Sequence, residues 1–281
     1  MRVHLLLPLL LSTGCAWEAG EGFAVLEPSV RAEYTPISSR DAGNGYQRLS
    51  SDYQVRLTTA QARLERIELL GSASASGPST FDPANPPPGY TICHNGHCDR
   101  EDGALVPYDE VEAELSGGGA TASTVASLPV GDVDLLAPET RTPACEPDCE
   151  LPRTNLSRAK WTVTSLRLEG TVRDGRATPR FSGERPFRLE LTTSGPHADP
   201  VAVLTGALDV PSDREHDPRV LLALGLQLTP AVFDPLDWAA ATPDPNGTVD
   251  LSSPANDAVR AELLESLSEQ SPQTEVQREA R

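Results

Sequence analysis

The run Trp161-Thr162-Val163-Thr164-Ser165-Leu166-Arg167-Leu168-Glu169-Gly170-Thr171-Val172-Arg173-Asp174-Gly175, with Phe187-Arg188-Leu189-Glu190-Leu191 following it, decides the fold class. Leu166 and Leu168 alternate with Arg167 and Glu169, and Phe187, Leu189 and Leu191 alternate with Arg188 and Glu190. A period of two puts one set on each face of a pleated strand, so both runs read as half-buried antiparallel strands. Asp174-Gly175 is a dipeptide suited to a tight hairpin between them.

Working outward, Val201 to Val210 and Val220 to Leu228 read as two more strands, the second central, with Leu222, Leu224, Leu226 and Leu228 on one side. Tyr53, Val55 and Leu57 alternate with polar residues. From Ala60 to Leu70 the pattern is ambiguous: Ala60, Leu64 and Ile67 fit a helical face, Ile67 and Leu69 a strand, and strand is the expectation. Near the start, Phe23 and Val25, then Val30, Ala32 and Tyr34, suggest an edge strand broken at Pro28. Val125 to Leu136 resumes as strand after a short helix with Tyr108, Val111 and Leu115 on one face. Ser253-Pro254 opens a C-terminal helix that buries Val259, Leu263 and Leu267. These elements predict a mainly β chain: an antiparallel β-sandwich over residues 15–270, with long cysteine-bearing loops at 71–107 and 137–155, a C-terminal helix and a flexible tail over 271–281. Two lobes divided near residue 155 are the alternative.

The densest group of reactive side chains is Cys93-His94-Asn95-Gly96-His97-Cys98-Asp99, and a second cysteine pair, Cys145 and Cys149, lies further on. In an exported chain these four cysteines are first of all two disulfides, with three pairings open. A local bridge contributes about 2 kcal/mol and one that closes the longer loop about 4 kcal/mol on chain entropy. Cross-bridging would also fix the two loops against each other and is the expectation, while Gly96 makes a local Cys93–Cys98 bridge feasible. His94 and His97 beside thiolates form the nitrogen and sulfur mixture that a tetrahedral Zn²⁺ or a Cu ion takes. With both disulfides formed, the two histidines could still bind a metal with Asp99, Glu101 or Asp102. The remaining histidines of the mature chain are His197 and His216.

Arg2 followed by Leu5-Leu6-Leu7-Pro8-Leu9-Leu10-Leu11 reads as an export signal over residues 1–14. Leu11-Ser12-Thr13-Gly14-Cys15 resembles the bacterial lipobox, with Ser12 where that family usually has an aliphatic residue. The resemblance implies lipidation of Cys15, and Ala16 after it implies an outer-membrane lipoprotein, facing the periplasm or the surface. The Cys-His-x-x-His-Cys stretch with Asp102 to Tyr108 behind it is similar to myxobacterial-type envelope lipoproteins of uncharacterised function. Cysteine number and general architecture are loosely similar to the periplasmic four-cysteine copper-binding proteins that partner di-haem oxidases, which implies copper.

A net charge of −18, from 41 acidic against 23 basic residues, repels a nucleic-acid backbone. The single methionine is the initiator, so a thioether site for reduced copper is excluded. Asp244 to Asp250 has the middle of a calcium-loop pattern without its anchoring carboxylates and reads as a turn. No nucleophile elbow, phosphate loop or His-Glu-x-x-His helix is present. The sequence therefore predicts a non-enzymatic, lipid-anchored envelope binding protein whose Cys/His region holds Cu or Zn, or failing a metal serves as a scaffold for an envelope protein partner.

Overall fold

The computed structural model describes residues 23–71, 81–101, 103–115, 123–152, 155–193, 199–211 and 216–280. Their elements run β1 (Phe23–Tyr34), β2 (Gln47–Arg48), β3 (Tyr53–Gly71), β4 (Tyr90–His94), β5 (His97–Arg100), β6 (Leu105–Pro107), α1 (Tyr108–Leu115), β7 (Thr124–Asp134), β8 (Glu150–Pro152), β9 (Leu156–Asp174), β10 (Glu184–Thr192), β11 (Ala202–Val210), β12 (Arg219–Leu228), β13 (Val249–Asp250), α2 (Asp257–Ser268) and β14 (Gln273–Gln277). The chain is mainly β and its two large sheets form a sandwich-like pair around one continuous core.

Two strands of 19 residues each, β3 and β9, pair antiparallel along their whole length and form the spine of the larger sheet. Each carries two partners on its outer edge: β2 and β7 on β3, β10 and β11 on β9. Because β9 begins at Leu156 and pairs with β3, one sheet spans residue 155, which overturns a division into two lobes there. Bulges shift the β3–β9 register between Leu57 and Thr59 and again around Leu64 to Arg66. An extra residue moves the buried phase to the other parity, so Tyr53 and Val55 are followed inside by Ala60, Ala62 and Leu64, and then by Ile67 and Leu69. The helix-like spacing of Ala60, Leu64 and Ile67 is this phase slip in a strand.

The second sheet has the order β14-β12-β1-β8. As expected, β12 is central and buries Val220, Leu222, Leu224, Leu226 and Leu228. Its pairing with β1 is parallel, in a fold whose long strands otherwise pair antiparallel. Parallel neighbours need a long connection, and here the whole intervening chain supplies it. Pro28 does not break β1 or make it an edge: Ala24, Leu26, Val30 and Ala32 keep one buried phase across it, and β8 pairs on the far side. Leu26 N–H donates to the Cys149 carbonyl at 2.9 Å and Val30 N–H to that of Arg141 at 2.8 Å. Pro28 takes the position between them that faces the same way, where it has no N–H to leave unpaired.

The predicted helix appears as a short 3-10 turn, Pro254–Asn256, whose Ser253 side chain accepts from Ala255 N–H, continuing into α2. Its Val259, Leu263, Leu264 and Leu267 face packs on β11 and the turn Pro230–Phe233. Two expectations fail. Residues 273–277 of the predicted flexible tail form β14 on the open edge of β12, because backbone pairing needs no apolar side chains. Residues 90–107 of the predicted long loop fold into a three-stranded sheet, β4-β5-β6.

Candidate metal centre

β4 and β5 are a hairpin joined by Asn95-Gly96, with φ of +48° and +83° at the two turn positions. Positive φ at both is what a two-residue turn matching the strand twist requires, and Asn-Gly supplies it at least cost. The register follows: His94 faces His97 across the pair, and Cys93 faces Cys98. Alternation then sends Cys93 and Cys98 to one face of the hairpin and His94, His97 and Asp99 to the other.

On the cysteine face a disulfide joins Cys93 to Cys98, and Cys145 is joined to Cys149. This corrects the cross-bridged expectation. The Cα atoms of Cys93 and Cys98 are already 3.9 Å apart as a cross-strand pair, so the hairpin settles the pairing. Cys98 packs in a small separate core with Val106 and Val111, while Cys145 belongs to the main core. A mixed nitrogen and sulfur site fails for the same reason: the sulfurs are bonded to each other and lie on the wrong face of the hairpin.

The turn of the hairpin docks on β11, where Val203 N–H donates to the Asn95 carbonyl at 3.0 Å. Docking brings Asp199, just before β11, to the histidines. His94 Nε2 lies 3.5 Å from Asp199 Oδ2 and 3.9 Å from Asp99 Oδ2, and His97 Nε2 lies 3.4 Å from Asp99 Oδ1. The two imidazole centroids are 4.7 Å apart. One donor atom from each of the four residues lies within 4.8 Å of the others. These separations exceed hydrogen-bond length. The two shorter ones are close to the roughly 3.3–3.4 Å expected between two donors bonded tetrahedrally to one Zn²⁺ at about 2.0–2.1 Å, and the rest of the group is more widely spaced.

His97 is fully buried, and among the described residues neither of its ring nitrogens nor Asp99 Oδ1 has a partner at good hydrogen-bond geometry, beyond a loose contact of the ring with the Asn95 backbone. Unpaired buried polar atoms cost about 1–3 kcal/mol each, and two of them, His97 Nε2 and Asp99 Oδ1, face each other at 3.4 Å. Burial pushes the His97 pKa below its usual value and the neighbouring His94 adds to this, while Asp99, the Asn95 backbone and Asp199 pull it back up. Burial thus favours the neutral ring, the form that ligates metal.

Of the carboxylates expected beside the histidines, Asp99 joins the group, Glu101 does not, and Asp102 lies outside the described residues. Cys15 and His197 also lie outside them. His216 bridges Ala280 beside the C-terminal strand and is not in the group. Asp199 carried no signal in the sequence, since only the docking of two distant segments places it. The Asp244 loop is a turn as expected, its carboxylate Oδ1 accepting from Asn246 and Thr248 N–H.

The disulfide backs the ligand face and holds β4 and β5 in register. Replacing Cys93 and Cys98 together by serine is expected to remove about 2 kcal/mol of restraint. Calorimetric titration with Zn²⁺ should show an affinity lower by up to about 30-fold, the equivalent of that restraint; an unchanged affinity would mean that the turn alone sets the site.

No family model, no curated protein and no solved structure matches the chain.

Proposed function

We propose that this is an envelope protein that binds a divalent transition metal, Zn²⁺ or Cu²⁺, through His94, His97, Asp99 and Asp199, and that its work is binding rather than catalysis. The observation that carries the reading is the fully buried His97, whose Nε2 lies 3.4 Å from Asp99 Oδ1 with neither atom well hydrogen-bonded among the described residues. Two imidazoles and two carboxylates suit Zn²⁺ or Cu²⁺ and disfavour Cu(I), which takes sulfur. The N-terminal apolar run and Cys15 support export and lipid anchoring at the outer membrane. Two disulfides in the fold accord with an oxidising compartment.

The test uses the mature chain with Cys15→Ser, freed of metal and then offered Zn²⁺ or Cu²⁺. One ion per chain is expected by native mass spectrometry, and loss of it in the His94→Ala, His97→Ala double variant with the β-rich circular dichroism spectrum retained. Failure of the wild-type chain to take up either ion would move the reading to a metal-free scaffold for another envelope protein.

A further inference from the structure

The four donors do not come from one structural unit. His94, His97 and Asp99 stand on β4 and β5, while Asp199 belongs to the segment that enters β11 in the main sheet. The small sheet has its own core of Cys98, Val106 and Val111, with Phe81, Tyr90, Cys93 and Tyr108 packed around it, and this core is separate from that of the sandwich. The join between the two units runs through the turn: Asn95 accepts from Val203 N–H, and Gly96 lies directly against Val203 and Ser268. His97 sits at this join with its Nε2 lacking a good hydrogen bond among the described residues, and Asp199 is about half exposed, 49% for its side chain.

From this division of ligands, and resting on the metal reading above, we infer that the ion is a latch: binding it locks the small β4-β5-β6 sheet onto β11, so that metal supply sets how firmly the two units are docked. The docked form offers four donors and the undocked form offers the three on the hairpin. A ligand shifts a two-state equilibrium by the ratio of its affinities for the two states. That ratio is at least about 10-fold here, the loss that even an outer-shell partner of a metal ligand costs. The protein is thereby a metal-responsive element as well as a metal holder. Its signal is the tightness of one internal interface.

The test is amide hydrogen exchange on the mature Cys15→Ser chain, with and without zinc chloride, beside an Asp199→Asn variant that keeps all three hairpin donors. In the wild type, Zn²⁺ should slow exchange both in residues 90–100 and in residues 201–206. In the variant, Zn²⁺ should bind at least about 10-fold more weakly and slow exchange in residues 90–100 alone. If the wild type binds Zn²⁺ and the protection stays within the hairpin, or if Asp199→Asn matches the wild type in affinity and pattern, the latch is wrong while metal binding stands. If the wild type binds no Zn²⁺ and no Cu²⁺, the metal reading itself falls and the latch with it.

Discussion

Replacing Gly96 by alanine is expected to undock the small sheet and cost about 2–5 kcal/mol, the sum of a left-handed backbone penalty and overpacking. Gly96 has φ +83°, and a Cβ there would lie 2.3 Å from the Val203 carbonyl oxygen and 3.0 Å from Ser268 Cβ. The first of these is backbone of the main sheet, so it cannot rotate away as a side-chain end would. The hairpin must move instead, and His94, His97 and Asp99 move with it, away from Asp199. Metal affinity should fall by at least about 10-fold, and the small sheet should become sensitive to protease while the sandwich does not. Asn95→Gly is the control: its φ of +48° is easier still for glycine, and both properties should hold. A Gly96→Ala protein with wild-type affinity and protease resistance would falsify the docking described for this turn.

The second large effect belongs to the sandwich. Trp238 is fully buried, with its ring centroid 4.9 Å from that of Phe187 and 6.3 Å from that of Phe233. Trp238→Ala removes this packing and leaves a cavity, at a cost of about 3–5 kcal/mol. For a chain of this size that corresponds to a melting temperature lower by roughly 10 °C, at about 2–4 °C per kcal/mol. The indole N–H has no hydrogen-bond partner among the described residues, so Trp238→Phe loses no polar contact seen there and should cost well under half as much as alanine. Thermal unfolding of both variants checks the order. Metal affinity measured at 25 °C should stay at the wild-type value in each, because Trp238 belongs to the main core and the hairpin to the small one.

The strands were legible wherever a single pleat persisted. Leu166 and Leu168 against Leu189 and Leu191 were read with the correct face and partner, since nothing interrupts that register. Bulges blurred β3, where two phase slips imitate a helical period. The two Gly-containing dipeptides show how local turn chemistry misleads without its flanks. Asp174-Gly175 does end β9, but β10 starts only at Glu184. The Asp174 carboxylate accepts from Arg176 and Arg180 N–H, and the broad loop lays Phe181 on Tyr53. No apolar alternation resumes directly after that Gly, which is the missing half of a tight-hairpin signal. Asn95-Gly96 has such flanks in the paired Cys and His on each side, and reading it as a hairpin puts His94, His97 and Asp99 on one face and joins Cys93 to Cys98. Asp199 was beyond sequence reasoning because its place depends on a tertiary contact between Asn95 and Val203.

The parallel pairing of β1 with β12 also governs how the chain can fold as it is made. Strand 23–34 is synthesised early, yet the ladder on one of its edges is not complete until residues 219–228 exist. Loop closure over so long a span is slow, and the waiting strand offers an open edge to any other chain. The larger sheet, by contrast, has its spine and both flanks by residue 210. Assembly should therefore finish with the second sheet closing last, and truncation before β12 should leave a soluble remnant only if something else covers β1. Anything that covers this edge in the unfinished chain would change the yield of the protein without altering its final structure.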